Sequence, residues 1–314
     1  MPYYLGVDAG GTKTAFLLTD ERGQKRGACR LNGCRLLSRT AAELTELLRQ
    51  GAGEVCRQAA ISERDIAFSG VGISGYGEAE GSEAKALNAC EKALGTGKVV
   101  CACDCHVAWA GSLALQPGVN VISGTGAISY GVNAEGRTAR SSGWGALFDE
   151  GSCQWIGVRL VQAYTWQADG RLPVTALYAR FRERFGITDD SAFIHRLNTG
   201  FFDDAARTAS LQTFCLELYQ EGDPCAAGLY ARAAHELARA VKAVARQLGL
   251  REGYRVSYSG GLFEAGSAIL EPFQKEITAL NAALTAPRCS PVEGAILMAM
   301  QAHQPGFAPD ALLF

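Results

Sequence analysis

The sequence predicts an α/β protein of two domains, and three observations support this. A chain of 314 residues, 48% of them hydrophobic, is long enough for about two domains with sizeable cores. Residues 3–103 show a β-β-β-α-β-α-β order, and a strand-turn-strand pattern returns at Val119, as if a second copy begins there. We predict an N-terminal domain of residues 1–117 and a C-terminal domain of residues 118–314.

In the first half, apolar runs predict three antiparallel strands over residues 3–31, with a turn at residues 20–23. An amphipathic helix is expected over residues 40–60, because apolar residues recur along one side. Three elements complete this half: a strand at residues 66–74, a helix at 82–94 and a strand at 98–103.

The second half predicts a similar start and a more helical continuation. Three or four helices are expected over residues 152–248. The other predicted elements are strands near residues 119–123, 127–133, 136–140 and 254–259, and helices near 266–277 and 291–303.

Three glycine-rich turns follow predicted strands: D-A-G-G-T-K-T at residues 8–14, G-T-G at 124–126 and S-G-G at 259–261. Glycine leaves backbone N–H groups unshielded, and such a concavity suits phosphate oxygens. Neither a Walker A loop nor a Rossmann fingerprint occurs at residues 8–14. An ordinary hairpin turn is the alternative interpretation.

The order of these turns resembles the phosphate-1, phosphate-2 and adenosine motifs of the acetate and sugar kinase/Hsp70/actin superfamily. The blocks S-G-W-G at 142–145, D-E-G-S at 149–152 and W-I-G at 155–157 resemble a signature of the BadF/BadG/BcrA/BcrD ATPase family, which includes N-acetylglucosamine kinases. The similarity runs from residue 4 to about residue 300 and implies two ribonuclease H-like (actin-like ATPase) domains flanking a cleft, the second with a helical insertion.

The resemblance implies that ATP and Mg²⁺ bind at these turns. Asp8 would hold the hydrated metal, since Mg²⁺ prefers a carboxylate plus retained waters; a simple turn residue is the alternative. The residues expected at the nucleotide are Gly10, Gly11, Thr12, Lys13, Thr14, Gly124, Thr125, Gly126, Gly260 and Gly261.

Asp104 is the predicted catalytic base, which would orient and deprotonate the acceptor hydroxyl. It stands at the end of a predicted strand, where the related kinases place their catalytic aspartate. The alternative is a cap for the helix that begins near His106, because aspartate is a favoured N-cap residue.

The resemblance also points to an acceptor site of Asn32, Trp144, Asp149 and Glu150, together with Asp104. Carboxylates and amides are suited to sugar hydroxyls. A turn role for Asn32 and a helix cap at Asp149 are the alternatives. The segment between G-W-G and D-E-G-S is one residue shorter than usual in the family, and the Asn32 loop keeps little of the family pattern beyond its asparagine.

The amino-acid composition excludes some classes of binding partner. The net charge is −2 without a basic stripe, so neither nucleic acid nor an anionic membrane is expected. No run of about 18 apolar residues and no signal peptide is visible, which favours the cytoplasm. A small-molecule sugar is the expected partner, and the family resemblance implies a homodimer.

Eleven cysteines in a chain of this length favour reduced thiols. Cys101, Cys103 and Cys105 would share one face if they lie on a strand, with Asp104 on the other. They are interpreted as packing residues, and a metal or redox site is the alternative. The four histidines show no metal-ligand spacing and are interpreted as surface or packing residues.

The family resemblance leads to two hypotheses for the function. The first is ATP-dependent phosphorylation of an amino sugar, such as N-acetylglucosamine, glucosamine or N-acetylmuramate. The second is an ATPase that activates a partner enzyme through a shared iron–sulfur cluster, as in some relatives. The cysteine context typical of those activators is absent from this sequence.

Overall fold

The computed structural model describes residues 1–145, 147–304 and 306–309, which form two compact units. The first unit comprises Met1–Pro117 with the described part of Ala286–Phe314, and the second comprises the described part of Gly118–Thr285. Each unit contains one five-stranded sheet with helices packed on it, so the predicted α/β class is confirmed.

The first unit has strand order β3-β2-β1-β4-β5. Strands β1, β2 and β3 are antiparallel to one another in turn, whereas β1, β4 and β5 are parallel. The carboxyl ends of these three parallel strands therefore meet at one edge of the sheet. The elements are β1 (Tyr3–Ala9), β2 (Lys13–Asp20), β3 (Lys25–Asn32), α1 (Ala41–Ala59), β4 (Ile66–Ile73), α2 (Ser82–Leu94), β5 (Val99–Cys103) and α3 (Asp104–Leu113).

The second unit repeats this arrangement with strand order β10-β9-β6-β7-β8. Strands β6 and β9 are parallel, and β6, β7 and β8 are antiparallel in turn. The elements are β6 (Gly118–Ser123), β7 (Ala127–Val132), β8 (Thr138–Ser142), α4 (Cys153–Ala168), α5 (Ala176–Phe185), α6 (Asp190–Asn198), α7 (Ala205–Gln220), α8 (Pro224–Leu248), β9 (Arg255–Ser259), α9 (Ser267–Ala279) and β10 (Ala283–Leu284).

Two details of the second unit differ from the prediction. Strand β8 starts at Thr138 instead of residue 136, because a turn in which the amide of Gly136 donates to the carbonyl of Asn133 precedes it. Five helices rather than three or four lie between β8 and β9, since glycine-containing breaks at Gly186, Gly200 and Gly222 end three of them.

The last helix, α10 (Pro291–His303), packs on β1, β4 and α3 of the first unit. A Cβ on Gly6 or Gly70 would overlap a carbonyl oxygen of this helix, so the absent side chains permit its close approach. Ile296 forms a buried apolar cluster with Tyr4 and Leu17. The structure thus groups the described residues after Thr285 with the first unit, whereas the predicted C-terminal domain extended to residue 314.

The expectation that three cysteines share one strand face is wrong. Strand β5 ends at Cys103 and α3 begins at Asp104, so Cys105 lies in the first helical turn. All eleven cysteines are free thiols. Within the described ranges, no group of three or more His, Cys, Asp or Glu side chains is arranged to hold a metal, and no helix is long and apolar enough to cross a membrane.

Candidate functional site

The first glycine-rich turn connects β1 to β2 as a tight hairpin. The amide of Gly10 donates to the carbonyl of Lys13 at 3.1 Å, while Gly11, Thr12 and Lys13 are exposed. Thr14, which was predicted at the nucleotide, is buried, and its hydroxyl donates to the carbonyl of Asn32 at 2.9 Å. Thr14 therefore fastens the end of β3 to this hairpin.

Gly33 packs against the backbone of the first glycine-rich turn and was not among the predicted site residues. A Cβ on Gly33 would overlap the carbonyl oxygen of Gly11 and the backbone of Thr12. The next residue, Cys34, donates its amide to the carbonyl of Gly10 at 2.9 Å. The sequence signal for this close approach is a glycine two residues after the predicted end of the third strand at residue 31.

Asp8 and Asp104 belong to the same edge of the first sheet. Ala9, Ile73 and Cys103 are aligned across β1, β4 and β5, so Asp8 and Asp104 lie at the same sheet edge, near the ends of the two strands that flank β4. Burial, followed by the negative charge of Asp104, raises the pKa of Asp8 to about 7, and Lys13 opposes this shift. A divalent cation would offset that buried negative charge, so Asp8 fits the role of a magnesium ligand.

Asp104 is half-buried, and burial raises the pKa of its carboxyl above the ordinary value. Its Oδ1 accepts a hydrogen bond from the amide of Cys105 at 3.0 Å. The N-cap position of α3 belongs to Cys103, so Asp104 is the first residue inside the helix. The capping alternative is thus replaced by a bond within the first turn.

Ser74 links these groups, and sequence reasoning missed it. Interaction with its hydroxyl lowers the pKa of Asp104 and so opposes the effect of burial. Its amide donates to the carbonyl of Ala9 at 2.9 Å, and its carbonyl accepts from the amide of Leu36 at 2.9 Å. Ser74 is the last residue of a predicted strand, in the sequence I-S-G, and is a small polar residue at a strand end.

Asn32 ends β3, and its side chain is exposed. It lines an open cavity of about 580 Å³ between β3 and α1, together with Arg30, Arg39, Glu43 and Glu46. The amide group can both donate and accept, as a ligand for hydroxyl groups must.

The second glycine-rich turn, Gly124 to Gly126, connects β6 to β7. The amide of Gly124 donates to the carbonyl of Gly126 at 2.9 Å. The first amide of α4, that of Cys153, donates to the carbonyl of Gly124 at 2.8 Å, which fixes the turn to the start of that helix. Gly124, Thr125 and Gly126 are half-buried.

The third turn lies beside the second because β6 and β9 are parallel neighbours. Gly260 has φ of 99°, and a Cβ there would overlap the carbonyl of Ser123 at the end of β6. Gly261 has open space where its Cβ would be. Two of the three predicted nucleotide turns are therefore brought together at one sheet edge of the second unit.

Asp149 is buried and occupied by bonds within the chain. Its Oδ1 accepts from the amides of Gly143 and Trp144, both at 2.9 Å, and its Oδ2 accepts from the amide of Ala127 at 3.3 Å. These bonds hold the turn after β8. The cap of α4 is Ser152, which accepts from the amide of Trp155, so the helix-cap alternative for Asp149 does not hold.

Trp144 and Glu150 are exposed beside this buried carboxylate and line a depression of about 300 Å³ with Arg239 of α8. Leu147 and Phe148 are also exposed, at 76% and 67%. Large apolar side chains in water on one short loop are available to contact a ligand. Ala146, part of the shortened segment, lies outside the described residues.

A model of the BadF/BadG/BcrA/BcrD ATPase family matches residues 5–299. The chain belongs to this family. The expected family resemblance is therefore confirmed over nearly the whole sequence.

Individual relatives are consistent with this placement. An N-acetylmuramic acid/N-acetylglucosamine kinase of Clostridium acetobutylicum is 29% identical over 88% of this chain and 90% of the relative. An N-acetyl-D-glucosamine kinase of Dictyostelium discoideum is 27% identical over 96% of this chain and 98% of the relative. A solved structure from Chromobacterium violaceum, provisionally described as an N-acetylglucosamine kinase, has a TM-score of 0.73 and 25% identity, covering 95% of this chain and 99% of the other.

Proposed function

We propose that this protein is an ATP-dependent kinase that phosphorylates a hydroxyl of an amino sugar, N-acetylglucosamine or a relative such as glucosamine or N-acetylmuramate. The observation that carries the proposal is the pair Asp8 and Asp104 at one edge of the first sheet, near the ends of β1 and β5 and beside the Gly10–Thr12 turn. Family membership supports the nucleotide, and the curated kinases support the acceptor class.

In this proposal Asp104 is the general base. Its carboxylate takes the proton of the sugar hydroxyl while that oxygen bonds to the γ-phosphorus and the bond from this phosphorus to the β,γ-bridging oxygen breaks. Because burial raises the pKa of Asp104, it is a better proton acceptor than an exposed aspartate. The amide of Cys105 and the hydroxyl of Ser74 orient the carboxylate.

The other residues position the reactants. The Gly10–Lys13 turn and the Gly124–Gly126 turn hold phosphate oxygens, and Gly260 and Gly261 leave room for the adenosine. Asp8 holds Mg²⁺, which supplies neutralisation of phosphate charge when bound. Asn32, Trp144 and Glu150 contact the sugar, and Asp149 acts by holding the loop that presents Trp144.

We also expect a homodimer in the cytoplasm. Its mass is measurable by light scattering.

A coupled assay of ADP release tests the reaction. The panel contains N-acetylglucosamine, glucosamine, N-acetylmuramate and glucose, with and without Mg²⁺, and Asp104→Asn is the inactive control. We expect release that depends on one amino sugar and on the metal. Equal ADP release with and without every sugar contradicts the kinase assignment, and stoichiometric iron in anaerobically purified protein would favour the activator function.

A further inference from the structure

Arg35 lies at the first glycine-rich turn and has no role in the function described so far. Its backbone is held from two sides. The preceding amide, that of Cys34, donates to the carbonyl of Gly10, and Arg35 itself forms a parallel bridge with Ser74. Arg35 is therefore fixed between the turn and the residue that binds Asp104.

The side chain of Arg35 runs along the outside of that turn. Its Nε, Cγ and Cδ lie 3.3, 3.8 and 4.0 Å from the position that a Cβ on Gly11 would occupy. Both residues are exposed. Because Gly11 has no Cβ, the Arg35 side chain occupies space directly beside this residue of the turn.

The N–H donors of the Arg35 guanidinium have no acceptor among the described residues. In the part of the chain that the structure describes, its guanidinium makes no hydrogen bond or ion pair, whereas the neighbouring Arg39 donates to the carbonyl of Gly33 and Lys85 donates to the carbonyl of Leu36. A guanidinium presents five N–H donors in a planar fork that matches two phosphate oxygens. An unpaired arginine beside a phosphate-type turn has the chemistry of a phosphoryl ligand.

We propose that Arg35 donates to the β- or γ-phosphate oxygens of the nucleotide held by the Gly10–Thr12 turn. This proposal rests on the proposed ATP-dependent function. It adds a side-chain cation to a turn that otherwise offers backbone amides, a hydroxyl and Lys13. The other anion that such a side chain could bind is the carboxylate of an acidic sugar such as N-acetylmuramate, and the experiment separates the two.

Calorimetry on Arg35→Ala and Arg35→Lys tests the proposal, with AMP, ADP and a non-hydrolysable ATP analogue as Mg²⁺ complexes and no sugar present. The matched control is Arg64→Ala, which removes the same charge from an exposed position on a short helical turn of the same unit. We expect Arg35→Ala to lower the affinity for the ATP analogue and for ADP about ten- to hundredfold. AMP affinity and melting temperature should match the control, and Arg35→Lys should be intermediate because it keeps the charge but loses the fork.

Two results overturn the proposal, and a third separates it from the kinase assignment. Unchanged affinity for the ATP analogue would show that Arg35 does not bind the nucleotide. A rise in KM confined to N-acetylmuramate assigns it to the sugar carboxylate instead. The third result is that no sugar supports ADP release, but Arg35→Ala still lowers the affinity for the ATP analogue and not that for AMP. The amino-sugar kinase assignment then fails, while the phosphate role of Arg35 holds.

Discussion

Asp8 and Asp104 are coupled electrostatically: burial and the negative charge of Asp104 together raise the pKa of Asp8 to about 7. The two residues come from different strands, β1 and the junction of β5 with α3, and they meet because these strands end at the same sheet edge. Two half-buried carboxylates next to a phosphate-type turn are unfavourable unless a cation or a proton is shared with them. The arrangement suits a site that binds Mg-ATP and accepts a proton.

Asp104→Asn should abolish sugar-dependent ATP turnover and leave nucleotide affinity within a few-fold. The amide keeps the shape of the carboxylate but cannot accept the proton, and a general base contributes roughly 10²–10⁴-fold. Steady-state kinetics with calorimetry of Mg-ATP binding measures both effects. A loss of turnover below tenfold contradicts the assignment of Asp104 as base.

The pH dependence of kcat/KM should show the raised pKa of Asp104. The base acts only when deprotonated, so activity falls as the pH is lowered through this pKa, and the fall begins at a higher pH than for an ordinary aspartate. Rate profiles at saturating Mg-ATP measure the acid limb. An acid limb at the usual aspartate pKa contradicts this prediction.

Asp8→Ala should act through the metal instead. The variant should need more Mg²⁺ for half-maximal rate and have a lower kcat, with sugar binding nearly unchanged, because Asp8 is predicted to contact only the hydrated ion. Titration of Mg²⁺ at fixed ATP measures the requirement. The same metal requirement in the variant and the original protein would argue that Asp8 is only a turn residue.

Gly33→Ala should disturb the first turn without touching a ligand. The added Cβ overlaps the carbonyl of Gly11, so the turn must move, and we expect Mg-ADP affinity to fall about tenfold or more. The matched control is Gly228→Ala in α8, where a Cβ meets nothing within 4 Å. Calorimetry compares the two variants, and equal nucleotide affinity in both would show that the turn tolerates the shift.

Asp149→Asn should lower stability and loosen the loop after β8. Both carboxylate oxygens accept from backbone amides, Oδ1 from Gly143 and Trp144 and Oδ2 from Ala127, so the Asn nitrogen would face a donor at either place, at a cost of about 1–3 kcal/mol. Thermal unfolding and hydrogen exchange at residues 143–144 measure the effect. If stability is unchanged and only the KM for sugar rises, Asp149 contacts the sugar directly.

The sequence alone determined the local features of this protein. The three glycine-rich turns, the hairpin of residues 3–20 and the periodic helix α1 depend on neighbours close in the chain, since glycine conformation and apolar periodicity act over a few residues. Asp8 and Asp104 could be identified because each directly follows or ends an apolar strand-like run, and the turn order carried the family resemblance.

Only the tertiary structure decided what lies beside those features. Three contacts depend on which strands pair: Gly33 with Gly11, Ser74 with Asp104, and Arg35 with the first turn. These residues are distant in sequence and meet only when the sheet forms. The burial of Asp149 likewise depends on where β7 and β8 place their amides. Helix α10 joins the first unit because its apolar face covers that sheet, a contact that no local pattern in residues 291–303 could indicate.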